Sequence, residues 1–368
     1  MDQYPGGQFP YAAFFWPALV AASAAETASS VAAHLLGLSA DADGARTAQE
    51  PEGATPSRIA LELRTVRLRD FTVVKSSVPT LLCPPLALHG AAIADLAAGH
   101  SLVAALRGAG IEQLFVADWR SASADMRFLG IDEYLAELNV LVDHVGGLVD
   151  LVGLCQGGWL SLVYAGRFPA KVRKLVMAGA PVDIAAQQSG LSAIAEATPL
   201  VMFESLVNFG DGRVIGRNIA PFWGNETDAN DIRESLQILQ PIDSPEFTRL
   251  EAIFKNWNSW TIDVPGKYYL EVVEKLYKRN ELASGSFVAL GQRIDLSRLR
   301  HPMYLLAGSA DTVVAPEQLL AVERLVGTRP ESLRHAVAPC GHLSLFMGRR
   351  TLEAYWPGIV RWMKEAVE

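Results

Sequence analysis

The stretch Leu148-Val149-Asp150-Leu151-Val152-Gly153-Leu154-Cys155-Gln156-Gly157-Gly158-Trp159-Leu160-Ser161-Leu162-Val163-Tyr164-Ala165 decides the fold. It opens as a short apolar run that suits a strand buried on both faces, and it closes as an apolar helix. Between them lies G-x-nucleophile-x-G with cysteine as the nucleophile. A strand that bends straight into a helix brings the backbones two residues before and two residues after the nucleophile close together, so small residues are needed there, and Gly153 and Gly157 supply them. The helix then points its N-terminus at Cys155, which favours negative charge on the sulfur and on any oxyanion formed beside it.

A thiol nucleophile needs a base for its proton and a third group that holds the base in one tautomer. In this kind of strand-turn-helix architecture the acid follows the nucleophile and the histidine comes last. Asp311 fits the acid: it lies in Gly308-Ser309-Ala310-Asp311-Thr312, after the apolar run Met303–Ala307, where a residue at the C-terminal end of a buried strand faces the site. His342 fits the base. Of the seven histidines it alone combines a late position, a flanking glycine and a strand-to-helix loop, Pro339-Cys340-Gly341-His342-Leu343. The expected oxyanion donors are the backbone N–H of Gln156 and a second N–H from Cys83-Pro84-Pro85-Leu86-Ala87-Leu88-His89-Gly90. Pro84 and Pro85 have no N–H, so Leu86 is the nearest donor, and His89 is a candidate substrate contact.

Working outward, apolar runs at Pro79–Cys83, Gln113–Ala117, Leu148–Gly153, Val172–Ala178, Met303–Ala307 and Leu333–Val337 alternate with helical stretches. That rhythm predicts an α/β-hydrolase fold, a mostly parallel central sheet with helices on both faces, filling residues 58–368. It breaks between about 184 and 265, where Phe203, Phe209, Phe222, Trp223, Phe254, Trp257 and Trp260 accumulate. This is the place for an inserted helical cap, with Trp257 and Trp260 as candidate substrate contacts. Residues 1–37 read as an apolar helical segment carrying Phe14, Phe15, Trp16, Leu19, Leu35 and Leu36, suited to packing on the domain, to a homodimer or to an apolar granule surface. Residues 38–57 read as a linker.

Composition narrows the classes. The 368 residues, half of them hydrophobic, can bury a large core, and the formal net charge of −8 argues against nucleic acid as a partner. Three cysteines without paired spacing suggest neither a disulfide framework nor a metal site, which predicts a reducing, cytoplasmic setting. The apolar run from Tyr11 to Ala25 follows Asp2 rather than a basic region and is too short to span a bilayer. No glycine-rich dinucleotide loop or metal-ligand cluster is evident, so neither cofactor nor metal is expected.

The motifs resemble the polyhydroxyalkanoate enzymes, a family of cysteine-dependent α/β-hydrolases that includes synthases and intracellular depolymerases. Gly153-Leu154-Cys155-Gln156-Gly157-Gly158 is similar to the elbow of the shorter synthases that work with a second subunit, and Ile93-Ala94-Asp95-Leu96, Asp118-Trp119, Asp263-Val264-Pro265-Gly266 and Asn280-Glu281-Leu282 point the same way. Tyr268-Tyr269-Leu270, Cys340-Gly341-His342 and Phe346-Met347-Gly348-Arg349-Arg350 resemble the depolymerases instead. The resemblance covers roughly residues 79–363 and implies a polyester or 3-hydroxyacyl thioester substrate, an acyl-cysteine intermediate and association with polyester granules. Depolymerisation of poly(3-hydroxyalkanoate) is the first reading and synthesis the alternative. A general esterase or thioesterase and a non-catalytic granule scaffold are the remaining readings.

Overall fold

The computed structural model describes residues 49–75, 78–219 and 228–366. The segment 1–37, the first part of the 38–57 linker, and Phe222 with Trp223 lie outside the described residues.

Eight strands make one sheet: β1 Arg58–Glu62, β2 Val66–Asp70, β3 Thr80–Cys83, β4 Leu114–Trp119, β5 Val149–Leu154, β6 Val172–Ala178, β7 Met303–Gly308 and β8 Leu333–Ala338. Their spatial order is β1-β2-β4-β3-β5-β6-β7-β8. β2 pairs antiparallel with β1 and with β4, and all other pairings are parallel. A parallel neighbour can be reached only through a crossover, and helices Leu102–Gly108, Ile131–His144 and Gln156–Arg167 make three of them.

Each of the six runs overlaps one strand; β3 to β7 are buried almost throughout, as strands covered by helices on both faces require, whereas the edge strand β8 is largely exposed. Leu81, Leu151, Leu175 and Leu305 enter one core cluster, and their neighbours Leu82, Val152, Val176 and Leu306 enter the other. Truncating one of them, Leu151 for instance, would cost about 2–5 kcal/mol. β1 and β2 escaped that pattern. In β2, Val66 and Leu68 are buried while Arg67 and Arg69 alternate with them and pair with Asp118 at 2.9 and 2.7 Å.

Residues 49–57 have no regular structure, yet they are tied down rather than free. Thr55 N and Oγ1 donate to the Asp95 carboxylate at 2.9 and 2.8 Å, and Ala54 N donates to the Asp95 carbonyl at 3.1 Å.

Between β6 and β7 the chain leaves the sheet, and helices including Gly190–Ala197, Leu200–Phe209, Ala229–Ser235, Pro245–Ser259 and Gly266–Glu271 fill the interval. The helical part runs past 265, through a π-helical stretch Val272–Lys278 to Ser284. Tyr268, Val272, Leu276 and Leu282 explain the extension, since all four pack into the cluster shared with the sheet. Phe247, Leu250, Phe254 and Trp257 join the opposite cluster, and Phe203 with Leu206 and Val207 forms a small third one around Leu88. Among the described residues no single helix is long and apolar enough to cross a membrane; the pair Gly190–Ala197 and Leu200–Phe209, bent by 96°, meets that length and composition only together.

Candidate active site

Cys155 sits between β5 and the Gln156–Arg167 helix at φ 49°, ψ −120°. That backbone conformation is unfavourable for a residue with a Cβ by about 1–3 kcal/mol and persists only when its surroundings over-determine it. The surroundings are the glycines. A Cβ on Gly153 would come within 2.5 Å of Gly158 Cα, one on Gly157 would collide with the carbonyls of Cys83 and Pro84, and one on Gly158 would meet the Ala180 side chain. Cys155 N donates to the Ala178 carbonyl at 2.9 Å and Gly158 N to the Cys155 carbonyl at 2.9 Å, which closes the turn.

Asp311 and His342 stand in the loops after β7 and β8. Those loops continue the strands' hydrogen bonding beyond the sheet: Ser309 N donates to the Ala338 carbonyl at 2.8 Å and Ala310 N to the Cys340 carbonyl at 3.1 Å. His342 Nδ1 donates to Asp311 Oδ2 at 2.6 Å, and Asp311 Oδ1 accepts from the N–H groups of Val313 and Val314 at 2.9 and 2.8 Å. The carboxylate is thereby fixed at both oxygens, and the imidazole is fixed in the tautomer whose Nε2 is free to exchange a proton. The His342 side chain is 9 % exposed and, like Cys155, lines the cleft. Burial alone would lower its pKa, but the Asp311 charge, the Cys155 charge and hydrogen bonds to both outweigh burial and hold it well above 6.5. Gly179, at φ +53°, lies under the ring, where a Cβ would stand 3.2 Å from His342 Cε1.

The predicted trio therefore comes together over one cleft of about 270 Å³, lined on the sheet side by Cys155, Gln156 and His342. Gln156 heads its helix, where the first N–H groups have no partner within the helix and are available to an oxyanion. Leu86 is the expected second donor. Its side chain is buried in the core at 3 % exposure and the residue does not line the cleft, whereas Pro85 and Ala87 do. The proline pair removes the N–H groups at 84 and 85 but carries no information on which later N–H turns inward.

His89 and Trp257 both line the cleft, and Trp260 does not. The His89 ring is already engaged: Nδ1 donates to the Trp260 carbonyl at 2.7 Å, and the ring lies 4.3 Å from that of Trp257. Burial lowers its pKa despite those carbonyls, so it is a neutral strut between the loop after β3 and the insertion. Trp260 contributes its backbone, not its indole, to this corner. The insertion also brings Asp231, Glu234, Ser235 and Asn258 to the cleft. Their sequence context is that of an ordinary polar helix face, and no signal distinguishes them.

All three cysteines are buried and unpaired. Burial pushes the Cys83 thiol up to about 12 and raises that of Cys340 as well. Among the described residues no group of three or more histidine, cysteine or carboxylate side chains is placed to hold a metal ion.

The fold and the cleft together define an enzyme of the α/β-hydrolase class. Solved structures agree on the fold: the chain superposes on a monoacylglycerol lipase from Paleococcus ferrophilus with a TM-score of 0.52 at 16% identity, over 82% of this chain and 98% of that one. An enol-lactonase from Burkholderia xenovorans gives a TM-score of 0.52 at 14% identity, over 84% and 100%. Within that class the chain is similar to polyhydroxyalkanoate polymerase subunits and, over its C-terminal part, to polyhydroxybutyrate depolymerases. The sequence model described as "PHB de-polymerase C-terminus" matches residues 230–367. A poly(3-hydroxyalkanoate) polymerase subunit PhaC from Haloferax mediterranei is 26% identical over 90% of this chain and 68% of its own length. The protein of the same name from Synechocystis is 28% identical over 85% of each, and that from Allochromatium vinosum 23% over 74% and 76%.

Proposed function

We propose that this protein is a polyhydroxyalkanoate synthase, in which Cys155 accepts a 3-hydroxyacyl group from a thioester and passes it to the hydroxyl of a growing chain. The observation that carries the chemistry is the aligned series from Asp311 through His342 to Cys155, with the 2.6 Å hydrogen bond at its acid end. Support for synthesis over depolymerisation comes from the relatives, which are named polymerase subunits and match 74–90% of this chain, whereas the model named for depolymerases matches only residues 230–367. The preference for depolymerisation drawn from the C-terminal motifs is set aside on that ground.

In the first half-reaction Cys155 Sγ attacks the thioester carbonyl carbon, its thiol proton being held on His342 Nε2. The carbonyl oxygen becomes negative and is held by the N–H of Gln156 and, in place of Leu86, that of Ala87. The bond to the donor's sulfur then breaks, His342 returns the proton to the departing thiol, and the acyl group remains on Cys155. In the second half a 3-hydroxyl attacks the acyl-cysteine, His342 removes its proton, and the ester forms as the thiol of Cys155 is restored. Water in place of the hydroxyl would give hydrolysis with the same residues. Asp311 stays ionised throughout and stabilises the imidazolium.

The relatives' designation as subunits supports a partner chain, and a polyester product supports work at a granule surface in the cytoplasm. The test is to supply 3-hydroxybutyryl-CoA and, separately, amorphous poly(3-hydroxybutyrate), and to follow free CoA, polymer and released acid. Release of CoA with acylation of Cys155 is expected. Intact thioester together with release of hydroxy acid from the polymer would overturn synthesis in favour of depolymerisation.

A further inference from the structure

Gln156 offers its backbone N–H to the cleft, but its side chain is held at both ends. Oε1 accepts from Trp159 Nε1 at 2.5 Å, and Nε2 donates to the Tyr277 hydroxyl at 3.0 Å. Trp159 is one turn along the same helix and fully buried. Tyr277 arrives from the insertion, 121 positions further along the chain, on the π-helical stretch Val272–Lys278. A π-helix is rare, is found mostly as a single-turn bulge, and frequently marks a functional site. Here the wider turn is kept while Val272 and Leu276 bury in the sheet cluster and Tyr277 meets Gln156.

Burial, then the nearby Cys155, and Tyr269 after it push the Tyr277 phenol far above its ordinary value of 10, against the opposing hydrogen bond from Gln156. The hydroxyl is therefore always a neutral acceptor for Gln156. Cys155 itself occupies a backbone conformation that must be held from outside, and the first turn of the helix after it is where an oxyanion donor must be aimed.

We infer that Tyr277 is a positioning residue for the reaction: through the side chain of Gln156 it fixes the first turn after the elbow and so aims the Gln156 N–H at the acyl oxygen. This rests on the acyl-transfer reading of Cys155. The insertion, by this account, supplies not only the far wall of the cleft but also one support of the elbow.

The test separates two reactions of one sulfur. Attack on a thioester builds a negative oxygen and needs the aimed N–H; displacement of iodide from iodoacetamide builds none. Tyr277→Phe removes only the hydroxyl, and partial misaiming is expected to slow acylation of Cys155 by 3-hydroxybutyryl-CoA about 10-fold, against the roughly 100- to 1000-fold seen when a whole donor is lost. Alkylation of Cys155 by iodoacetamide should stay within about twofold of the parent rate, since the thiol and His342 are untouched. Gln156→Leu should show the same split, and the double variant should be no slower than the worse single one, because both changes break one connection.

Equal acylation by Tyr277→Phe and the parent would overturn the inference, as would a matching loss of alkylation, which signals general loosening of the site. Should Tyr277→Phe fail to fold, Gln156→Leu carries the same pair of measurements. A parent protein that alkylates at Cys155 but is acylated by neither the thioester nor a 3-hydroxybutyrate oligomer would instead sink the acyl-transfer reading itself.

Discussion

The cleft has two walls of different construction. One is the C-terminal edge of the sheet, where Cys155, Asp311 and His342 stand on three short loops whose backbones are hydrogen-bonded to one another or to neighbouring strands. The other is the insertion, which contributes Asp231, Glu234, Trp257 and Asn258 from helices with their own packing. The first wall is specified by backbone geometry that few residues can satisfy. The second is specified by which side chains point inward, and many sequences satisfy that. Under the proposed function, bond-making chemistry belongs to the first wall and the choice of donor and acceptor to the second.

That division can be broken at several points. Cys155→Ala should abolish CoA release, a loss on the order of 10⁵-fold, with the melting temperature nearly unchanged. Substantial residual turnover would mean that the sheet wall is not where the acyl group is held. Asp311→Asn should cost about 10³–10⁴-fold in rate, because the new amide donates to Nδ1 and forces the proton onto Nε2, where a base is required. The same variant should lower the pKa of His342 in an NMR titration, because burial lowers it and the Asp311 charge is the largest opposing influence.

On the second wall the effects are expected to be smaller and of another kind. Trp257, 1 % exposed and packed on Phe254 at 5.1 Å, anchors that wall, so Trp257→Ala should destabilise the fold by about 3–5 kcal/mol in denaturant titrations. A negligible change there would show that the insertion is held independently of its aromatic core. Glu234→Gln is the mildest: its side chain is exposed at the cleft, and removing the charge should lower KM for a polyanionic CoA thioester by a factor of about 2–5 with kcat unchanged, an effect that salt erases. A change in kcat instead would bring the insertion into the chemistry directly.

The pH dependence carries a sign. His342 keeps its proton more tightly folded than unfolded, so that proton stabilises the fold fully below about pH 6.5, and the contribution fades as pH rises through the raised folded value. Denaturant midpoints of Asp311→Asn should show a weaker loss of stability over the same alkaline range.

The same contrast explains what was legible in the sequence. Strands β3 to β7 were readable because burial on both faces favours runs rich in apolar residues, and the elbow was readable because Gly153, Gly157 and Gly158 each make a close approach that no other residue tolerates. Asp311 and His342 followed from their places after such strands. β1 and β2 were not readable, since alternating arginines at 67 and 69 leave no such run. The bond from His89 to the Trp260 carbonyl gave no signal in the sequence, and Tyr277 gave none, because a π-helical turn shifts which side chain faces inward without altering the apolar count.

One detail of the sheet wall bears on motion. The loops holding Asp311 and His342 are laced to each other through Ser309 with Ala338 and Ala310 with Cys340. Asp311 and His342 are in effect one mechanical part, because separating their loops would break those hydrogen bonds. Opening of the enzyme to a bulky chain would then leave the proton relay intact and change only its distance from Cys155, a clutch rather than a break in the circuit.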